Sequence, residues 1–319
     1  MKIVVSGATG FLGGHLCRHL HGLGHQVLGL GRDVLKGEAL RADGIEFETI
    51  DLGDASSLNA WDQADAFVHA AALSSAWGLR TAFEQANVTG TQHAITIARQ
   101  LKVRRFVAIS SPSVAFRFCD QLNLSEDAPL PPPVNDYAAT KAIAEDMART
   151  SDLNTLILRP RGIYGQGDTA LLPRLIRAAQ TQRLPLLRNG AAVTDLTHVD
   201  DVVAAIVSAI DAPQSYNGRT FNISGGEAIA VHHIISRASE AAGVTARFRP
   251  VPVWLALAAA RAAEYIARHR IGQPEPPITA YGVGILAFSQ TLDLTAARRD
   301  LGYNPQIDFS EGLRRTLAS

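Results

Sequence analysis

The sequence predicts an α/β fold: a doubly wound parallel sheet with a smaller, mostly helical C-terminal lobe. Short apolar runs alternate with helix-like segments from the first residues to about residue 224, and the rest of the 319-residue chain is mostly helical in pattern. Alternating strands and helices form parallel sheets. We therefore expect a sheet domain from residues 1–164 plus 195–225, and a substrate-binding lobe from 165–194 plus 226–319.

Composition excludes several classes of protein. The 30 basic and 30 acidic residues balance and no basic cluster alternates with aromatic residues, so neither a nucleic-acid groove nor an anionic membrane surface is indicated. The most apolar later stretch, 251–260, ends at Arg261 and is well under the ~20 residues of a membrane-spanning helix. Cys17 and Cys119 lack metal or redox spacing and fit a reducing cytoplasm. We expect a small-molecule substrate.

The first strand, 2–6, runs into three regularly spaced glycines at the start of a helix. Gly7 allows a tight turn, Gly10 allows the backbone to approach a pyrophosphate, and Gly13 allows the helix to pack on the strand. Free N–H groups of the first helical turn attract phosphate. The spacing predicts a Rossmann-type dinucleotide site, with a glycine-rich turn without ligand as the alternative. The expected contacts are Gly7, Thr9, Gly10, Phe11, Leu12 and Gly13.

The second strand, 26–30, indicates which dinucleotide binds. A right-handed crossover places it beside the first strand, with its carboxyl end near the adenosine ribose. A carboxylate there would favour NAD(H), but the chain reads Leu30-Gly31-Arg32. Because Arg32 can pair with a 2′-phosphate, NADP(H) is favoured and NAD(H) is the alternative. A solvated arginine with no role is the other interpretation.

Three later segments are predicted to contact the cofactor. The turn after the third strand, 46–50, is expected over the adenine, although its aspartate can instead cap a following helix. The fourth strand, 66–69, leads into three alanines whose small size lets backbone lie against a ligand. The helix 83–101 carries a polar face that either contacts the cofactor or stabilises a bend. The predicted contacts are Asp51, Leu52, Ala70, Ala71, Ala72 and Asn87.

The fifth strand, 105–109, ends in a cluster of serines, where open α/β sheets place reactive groups. No Gly-x-Ser-x-Gly elbow is present, so a serine nucleophile is not indicated. Downstream, a helix opens at Tyr137 and presents Lys141 one turn later on the same face. The lysine charge should lower the pKa of the phenol and make it a usable proton donor or acceptor. A serine, Tyr137 and Lys141 form the predicted catalytic site.

Several residues resemble metal ligands, but we expect no metal. His15 and His19 share a helix face with no carboxylate or cysteine to complete a set. Asp200 and Asp201 are expected in the first turn of a helix, where carboxylates satisfy free N–H groups. The apolar helix 251–269 is expected to be core, with a wall of a hydrophobic substrate cavity as the alternative.

Five motifs, in order, resemble those of the extended short-chain dehydrogenase/reductase family, within the NAD-dependent epimerase/dehydratase superfamily, over nearly the full length. They are the glycine turn, His69 to Ala72, Ser111 with Tyr137-x-x-x-Lys141, Arg159-Pro160-x-x-Ile163-Tyr164-Gly165, and His198-Val199-Asp200-Asp201. The resemblance implies Ser111 as the catalytic serine, with Ser110 as the alternative. It also implies that Tyr137 and Lys141 contact the cofactor, with Lys141 on the nicotinamide ribose, and that Pro160 and Ile163 lie near the nicotinamide.

Within that family, the stretches 110–114, 137–145 and 297–303 look like 3β-hydroxysteroid dehydrogenase-like proteins and bacterial 2-alkyl-3-oxoalkanoate reductases. Sugar-nucleotide epimerases and dehydratases often carry Arg-Asp-Phe where this chain reads Thr194-Asp195-Leu196, so an arginine that would hold a diphosphate is missing. The resemblance therefore implies an NAD(P)-dependent oxidoreductase that interconverts a secondary alcohol and a ketone on a largely hydrophobic substrate.

Two other functions stay open. One is a nucleotide-sugar 4-epimerase or dehydratase that retains NAD, and the other is a dinucleotide-sensing regulatory protein without turnover. The presence of Tyr137 and Lys141 favours an enzyme. A homodimer is compatible with the sequence, which sets neither the subunit number, the reaction direction nor the substrate.

Overall fold

A computed structural model of the chain describes residues 1–55, 57–58, 60–181 and 183–317. The strands are β1 (Lys2–Ser6), β2 (Gln26–Gly31), β3 (Glu46–Thr49), β4 (Ala66–His69), β5 (Arg105–Ile109), β6 (Gln121–Leu124), β7 (Thr155–Pro160), β8 (Ile163–Tyr164), β9 (Leu184–Leu186), β10 (Val193–Thr194), β11 (Thr197–His198), β12 (Thr220–Ile223), β13 (Ile229–Ala230), β14 (Phe248–Pro250) and β15 (Gln290–Leu292). The α-helices are α1 (Phe11–Gly22), α2 (Val34–Ala42), α3 (Arg80–Phe83), α4 (Gly90–Gln100), α5 (Asp136–Thr150), α6 (Leu172–Thr181), α7 (Val199–Asp211), α8 (Val231–Ala241), α9 (Val253–Arg268), α10 (Ala280–Ala287), α11 (Thr295–Leu301) and α12 (Phe309–Leu317).

Seven parallel strands form the central sheet in the order β12-β7-β5-β4-β1-β2-β3. Ser6 at the end of β1 lies opposite Leu30 on one side and His69 on the other. The order reverses between β1 and β4, so the crevice of a doubly wound sheet opens at this carboxyl edge. The predicted Rossmann-type α/β fold is confirmed.

Helices cover both faces of the sheet. On one face, α1 and α7 bury an apolar cluster that also takes in Leu292, Leu294 and Tyr303 near the C-terminus. On the other face, α4 and α5 pack against β1, β4 and β5. Each buried aliphatic side chain contributes about 1.5–3 kcal/mol. The predicted division into two domains stays a prediction, although residues 292–303, which it assigns to the lobe, pack against the sheet.

The rest of the chain forms smaller units. A four-stranded sheet, β13-β10-β15-β6, includes β6, which leaves the central domain after β5. The apolar helix α9 buries Ala256 and Ala260, whereas Trp254 and Tyr265 on its other side are 71% and 66% exposed, so only part of this helix is core. In the described part of the chain, no helix has the length and apolarity needed to cross a membrane.

Two segments near the crevice differ from the sequence-based prediction. The helix predicted over 83–101 begins at Arg80 and contains a π-helical segment, Glu84–Thr89, between α3 and α4. Asp51 begins a turn in which its side chain accepts a hydrogen bond from the Gly53 amide at 2.8 Å, and no helix follows directly. A π-helical turn displaces the residues beyond it around the helix axis and is common at functional sites.

Candidate active site

The glycine turn brings three backbone segments into close contact. Gly7 has a φ of +74°, and a Cβ on it would lie 2.8 Å from the backbone nitrogen of Ala71. A Cβ on Gly13 would lie 2.1 Å from the Gly7 carbonyl oxygen. Any side chain at these positions would push the backbones apart. Glycine therefore permits β1, α1 and the turn after β4 to meet at the base of a cleft.

The cleft has a volume of about 430 Å³ and contains most of the predicted cofactor contacts. The predicted residues that line it are Gly7, Thr9, Gly10, Arg32, Asp51, Leu52, Ala70, Ala71 and Ala72. The other predicted contacts are outside this lining: Phe11, Leu12 and Gly13 in the first turn of α1, Asn87 in the π-helical segment, Tyr137 and Lys141 in α5, Pro160 at the end of β7 and Ile163 in β8. Gly13 packs against Gly7 at the base of the cleft, and Asn87 bonds to the turn after β4. Their contacts with a cofactor stay predictions.

The residues of the cleft fit a dinucleotide. Gly10 precedes α1 and has no side chain to cap the helix, so the first-turn amides are available to an anion at the positive end of the helix. The small side chains of Ala70, Ala71 and Ala72 leave the cleft open on the opposite wall. A pyrophosphate would therefore meet backbone donors on one side and no bulky group on the other.

The far end of the cleft carries charged groups that the sequence analysis only partly identified. Arg32 and Asp51 form an exposed ion pair at 3.4 Å. Asp33 accepts a hydrogen bond from the Lys36 amide at 3.1 Å and thereby caps α2. Lys36 also lines the cleft. The signal for this lysine was its spacing from Arg32, one turn along the helix that follows β2. Exposed ion pairs contribute about 0–1 kcal/mol, so a ligand phosphate can replace such a pair.

The structure brings Ser111 and Tyr137 together. The Tyr137 hydroxyl lies within hydrogen-bond reach of both Ser111 and Ser74, while its ring lies 6.5 Å from that of Phe83. The Ser111 hydroxyl oxygen also accepts a bond from the Ser113 amide at 3.2 Å. The alternative serine, Ser110, is buried and donates to Glu145 at 2.7 Å. This geometry supports Ser111 as the serine that faces a substrate.

Lys141 is buried one helical turn after Tyr137. Its ammonium group donates to the carbonyl oxygen of Ile109 at 2.6 Å, and burial lowers its pKa to about 8, against the opposing effect of Glu145. Burial also raises the pKa of Tyr137, while hydrogen bonds from Ser74 and Ser111 act in the opposite direction. The lowered Tyr137 pKa that the sequence analysis expects is therefore absent in the structure, because the cost of burying a phenolate exceeds the stabilisation by its neighbours.

Glu145, one turn after Lys141, was missed by the sequence analysis. Arg159 donates to both of its carboxylate oxygens, at 2.6 and 3.0 Å, and Arg149 donates at 2.6 Å. Strong hydrogen bonds and two cations hold the pKa of this buried carboxyl below its usual value, although burial acts to raise it. The carboxylate therefore stays charged and fixes α5 against β7. The signal for it was the four-residue spacing from Lys141 together with the arginine of the Arg-Pro motif.

His69 is the centre of a buried hydrogen-bond chain beside the cleft. The Thr91 hydroxyl donates to the Asn87 carbonyl at 2.6 Å, so it accepts from Nε2 of His69 at 3.0 Å. Nδ1 then accepts from the Ser6 hydroxyl at 2.8 Å. Every partner in the chain is satisfied when the imidazole is neutral, and burial lowers the His69 pKa to about 3.

Asn87 connects this hydrogen-bond chain to α5, the helix that carries Tyr137 and Lys141. Its side chain is 1% exposed. It accepts from the Leu73 amide at 2.7 Å and donates to the Thr140 hydroxyl at 3.0 Å. Thr140 lies between Tyr137 and Lys141 on α5. Asn87 therefore positions the turn after β4 relative to α5, a role that the sequence analysis did not foresee.

Acid should destabilise the protein partly through His69. Between about pH 6.5 and 3 the unfolded chain binds a proton on this histidine and the folded protein does not, so stability falls as the pH falls. From pH 8 to pH 5 the wild type should lose about 2 kcal/mol more of its free energy of unfolding than His69→Gln, measured by urea denaturation at both pH values. Equal losses in the two proteins would show that His69 does not remain neutral in the fold.

Residues that resemble metal ligands have structural contacts. His198 caps α7 by accepting from the Asp200 amide at 3.3 Å. Asp201 accepts from the amides of Gln306 and Ile307 at 2.9 and 3.2 Å and so ties α7 to the C-terminal segment. His15 bonds to the Gln166 carbonyl at 2.8 Å. Over the described residues, no group of three or more potential ligands is arranged to hold a metal ion.

Comparison with curated proteins yields relatives along the whole chain. A 2-alkyl-3-oxoalkanoate reductase from Stenotrophomonas maltophilia (strain K279a) is 35% identical over 100% of this chain and 99% of its own length. A decarboxylating sterol-4-alpha-carboxylate 3-dehydrogenase from Candida albicans (strain SC5314) is 29% identical over 99% and 96%. Many relatives of this kind are named as dehydrogenases or reductases, and the chain is accordingly an enzyme.

Solved structures give the same fold. A dTDP-glucose 4,6-dehydratase from Streptomyces venezuelae, solved with NAD bound, matches with a TM-score of 0.77 and 26% identity over 100% of this chain and 96% of that one. A UDP-glucuronic acid 4-epimerase from Bacillus cereus, also with NAD, has a TM-score of 0.76 at 24% identity over 100% and 98%, a likeness of fold. The model of the NAD dependent epimerase/dehydratase family matches residues 3–224. This chain therefore belongs to the NAD dependent epimerase/dehydratase family, as its five sequence motifs indicate.

Proposed function

We propose that this enzyme is an NAD(P)-dependent oxidoreductase that interconverts a secondary alcohol and a ketone on a largely hydrophobic, β-keto-acid-like or 3β-hydroxysteroid-like substrate. The observation that carries the proposal is the Tyr137 hydroxyl, which lies close to Ser111, on the helix that also presents the buried Lys141 one turn later. The names of the two relatives support the substrate class, since each describes a substrate whose carboxylate is attached to the carbon adjacent to the one that bears the reacting oxygen.

The residues have distinct roles in this proposal. When bound, the nicotinamide cofactor supplies or accepts a hydride at its C4 atom. The Tyr137 hydroxyl donates a proton to the substrate oxygen during reduction and accepts it during oxidation. Ser111 donates a hydrogen bond to that oxygen as its charge changes. Lys141 holds positive charge one helical turn from Tyr137. A cofactor ribose within reach of its Nζ atom would replace the Ile109 carbonyl as its hydrogen-bond partner.

A substrate panel tests the proposal. β-Keto esters, ketosteroids and UDP-sugars are each incubated with NADPH or NADH, and the absorbance of the reduced nicotinamide is followed. We expect a stoichiometric loss of reduced cofactor with a ketone. Conversion of a UDP-sugar with no net cofactor consumption would instead indicate an epimerase or dehydratase. Tight cofactor binding without turnover of any member would favour a dinucleotide-sensing protein.

We further propose that NADP(H) is the preferred cofactor. Arg32 and Lys36 place two cations at the end of the cleft that receives the adenosine ribose, and Asp33 already bonds to the amide end of α2. Guanidinium and ammonium groups bind a 2′-phosphate well. Because the similar dehydratase was solved with NAD, this preference is tested by measuring the affinity for both cofactors.

Removing these cations should separate the two cofactors. The double variant Arg32→Ala/Lys36→Ala should raise the Kd for NADPH by about tenfold or more, because each lost phosphate contact is worth roughly tenfold. The Kd for NADH should change less than about twofold. Isothermal titration calorimetry measures both, with Arg99→Ala, an exposed arginine outside the cleft, as the control. Equal affinities of the wild type for NADPH and NADH would overturn the preference.

We also propose a cellular location and a subunit number for this enzyme. We infer a cytoplasmic enzyme that acts alone or as a homodimer. Sedimentation analysis of the full chain across a range of concentrations measures the subunit number.

A further inference from the structure

Arg161 is a buried cation that lacks a carboxylate partner. The residue follows β7 directly and is 8% exposed. Its Nε and Nη2 atoms both donate to one oxygen, Oγ1 of Thr194, at 3.0 and 2.9 Å. No carboxylate oxygen of any residue that the structure describes lies within 4.0 Å of its guanidinium nitrogens. Burial lowers the Arg161 pKa, while Tyr281 and Asp195 act to raise it, so the buried charge is only partly compensated. An anion that enters from outside would complete its pairing.

Two other buried arginines show what a structural role looks like in this fold. Arg159 makes a bidentate ion pair with Glu145. Arg105, at the amino edge of the sheet, donates to the Asn154 side chain at 2.7 Å and to two backbone carbonyls. The hydrogen bonds that Arg161 makes through Nε and Nη2 converge instead on a single hydroxyl. The nearby Asp195 accepts from the Leu292 amide at 2.8 Å.

The backbone of Arg161 lies next to the segment that carries Ser111. β5 and β7 are neighbours, with Ile109 opposite Leu158. Continuing this register by two residues places Ser111 opposite Pro160, so the backbone of Arg161 lies about one strand spacing, ~4.8 Å, from the segment that carries Ser111.

Tyr281 of α10 completes this side of the site. Its ring contacts that of Phe116 edge-on, with centroids 5.2 Å apart, and Phe116 ends the turn that starts at Ser111. Burial raises the Tyr281 pKa, Arg161 lowers it and Tyr137 raises it further, so its hydroxyl lies within electrostatic range of both groups. Arg161 and Tyr137 therefore both lie near the side chain of Tyr281.

We propose that Arg161 binds a carboxylate of the substrate and thereby selects 3-hydroxy and 3-oxo carboxylates over uncharged alcohols and ketones. This inference rests on the proposed oxidoreductase function. A carboxylate separated from the reacting carbon by one further carbon can reach the guanidinium while its oxygenated carbon lies at Tyr137 and Ser111. The planar fork of arginine matches the two oxygens of a carboxylate, and the closed site strengthens the pairing. Arg161 is thus a specificity residue, because it touches the substrate and not the reacting atoms.

Three matched substrates test this inference in the oxidation direction. They are a 2-alkyl-3-hydroxy acid as its mixture of stereoisomers, its methyl ester, and the secondary alcohol with a methyl group in place of the carboxylate. With NADP⁺, the wild type should use the acid with a kcat/KM roughly tenfold to a hundredfold above that of the ester, the range of a charge-assisted hydrogen bond. Arg161→Gln should bring that ratio close to one, mainly by raising KM for the acid. Arg161→Lys should give an intermediate ratio.

A binding measurement separates recognition from turnover. Calorimetry on Tyr137→Phe with NADP⁺ present should show that the acid binds and that the ester binds at least tenfold more weakly. Adding Arg161→Gln to this background should remove the difference. If Arg161→Gln fails to fold, the comparison of acid and ester in the wild type and in Arg161→Lys still decides the matter.

Arg105→Gln is the control for loss of a buried arginine. It should lower thermal stability and leave the acid-to-ester ratio unchanged. Equal use of acid and ester by the wild type, or an unchanged ratio in Arg161→Gln, would overturn the inference and leave the oxidoreductase function intact, since the ester and the alcohol are still oxidised. Absence of oxidation with all three compounds would overturn both proposals.

Discussion

Replacing Tyr137 with phenylalanine is expected to lower kcat by about 10²- to 10⁴-fold, the usual contribution of a positioned proton donor. The ring and its contact with Phe83 are kept, so the fold and the cleft should be preserved. The lost hydroxyl is the group that lies beside Ser74 and Ser111. Turnover of the ketone identified by the substrate panel, with calorimetry of the cofactor, measures the two effects separately.

The cofactor Kd of Tyr137→Phe should stay within about threefold of the wild type, because the cleft that receives the dinucleotide lies along β1 and β4. Tyr265→Phe, which removes the hydroxyl of a tyrosine that is 66% exposed on α9, is the control and should retain wild-type kcat. Normal turnover by Tyr137→Phe would remove this tyrosine from the mechanism.

The second large effect is expected from the glycine turn. Gly13→Ala would place a Cβ 2.1 Å from the Gly7 carbonyl oxygen, and both partners are backbone that cannot rotate away. We expect a destabilisation of about 3 kcal/mol or more, since relief requires α1 to move off β1. Movement of α1 also withdraws the first-turn amides from the phosphate position, so the cofactor Kd should rise by at least a hundredfold.

Gly22→Ala provides a matched control in the same helix. Apart from its chain neighbours and the backbone of its own helix, no atom lies within 4 Å of a Cβ at this position at the end of α1. Alanine should therefore be tolerated there, with a gain of about 0.5–1 kcal/mol from helix propensity. Thermal unfolding and cofactor titration of both variants measure the difference. A Gly13→Ala protein with wild-type Tm and cofactor affinity would contradict the close approach of these backbones.

The parts of the site that the sequence predicts are those whose chemistry is local. The glycine turn can be predicted because Gly10 and Gly13 both lie against Gly7 within the turn itself, although the contact of Gly7 with Ala71 is long-range. The Tyr137 and Lys141 pair is readable because residues four apart share a helix face. The alanines after β4 are readable because the strand end is marked by an apolar run, and all three line the cleft.

The parts that the sequence does not predict depend on distant contacts. Arg159 and Glu145 pair across two elements, and this pairing helps to hold the pKa of the Glu145 carboxyl below its usual value although burial acts to raise it. Burial lowers the His69 pKa and keeps the ring neutral, and its hydrogen-bond partners Ser6 and Thr91 lie on different elements, so no spacing in the chain reveals this environment. The expected lowering of the Tyr137 pKa by Lys141 is absent for the same reason, because burial, which is a tertiary property, raises this pKa, and the groups that act against burial are Ser74 and Ser111.

The absence of an arginine at Thr194 shows how structure changes the meaning of a motif. From the sequence, Thr194-Asp195-Leu196 lacks the cation that would hold a nucleotide diphosphate. In the fold, Thr194 instead accepts two hydrogen bonds from Arg161, a buried cation that comes from the Arg-Pro-Arg segment. The site therefore does contain a positive group for an anion, placed close to the catalytic residues.

Transfer of deuterium from the cofactor shows directly whether this enzyme moves a hydride from the nicotinamide to the substrate carbon. The enzyme is incubated with a 2-alkyl-3-oxo substrate and NADPH that carries deuterium on one or the other face of C4, and the products are analysed by mass spectrometry. We expect deuterium from one face of C4 to appear at the carbinol carbon, with one oxidised cofactor formed for each alcohol. Alcohol without label from either face, or conversion of a nucleotide sugar with no net oxidation of the cofactor, would contradict it.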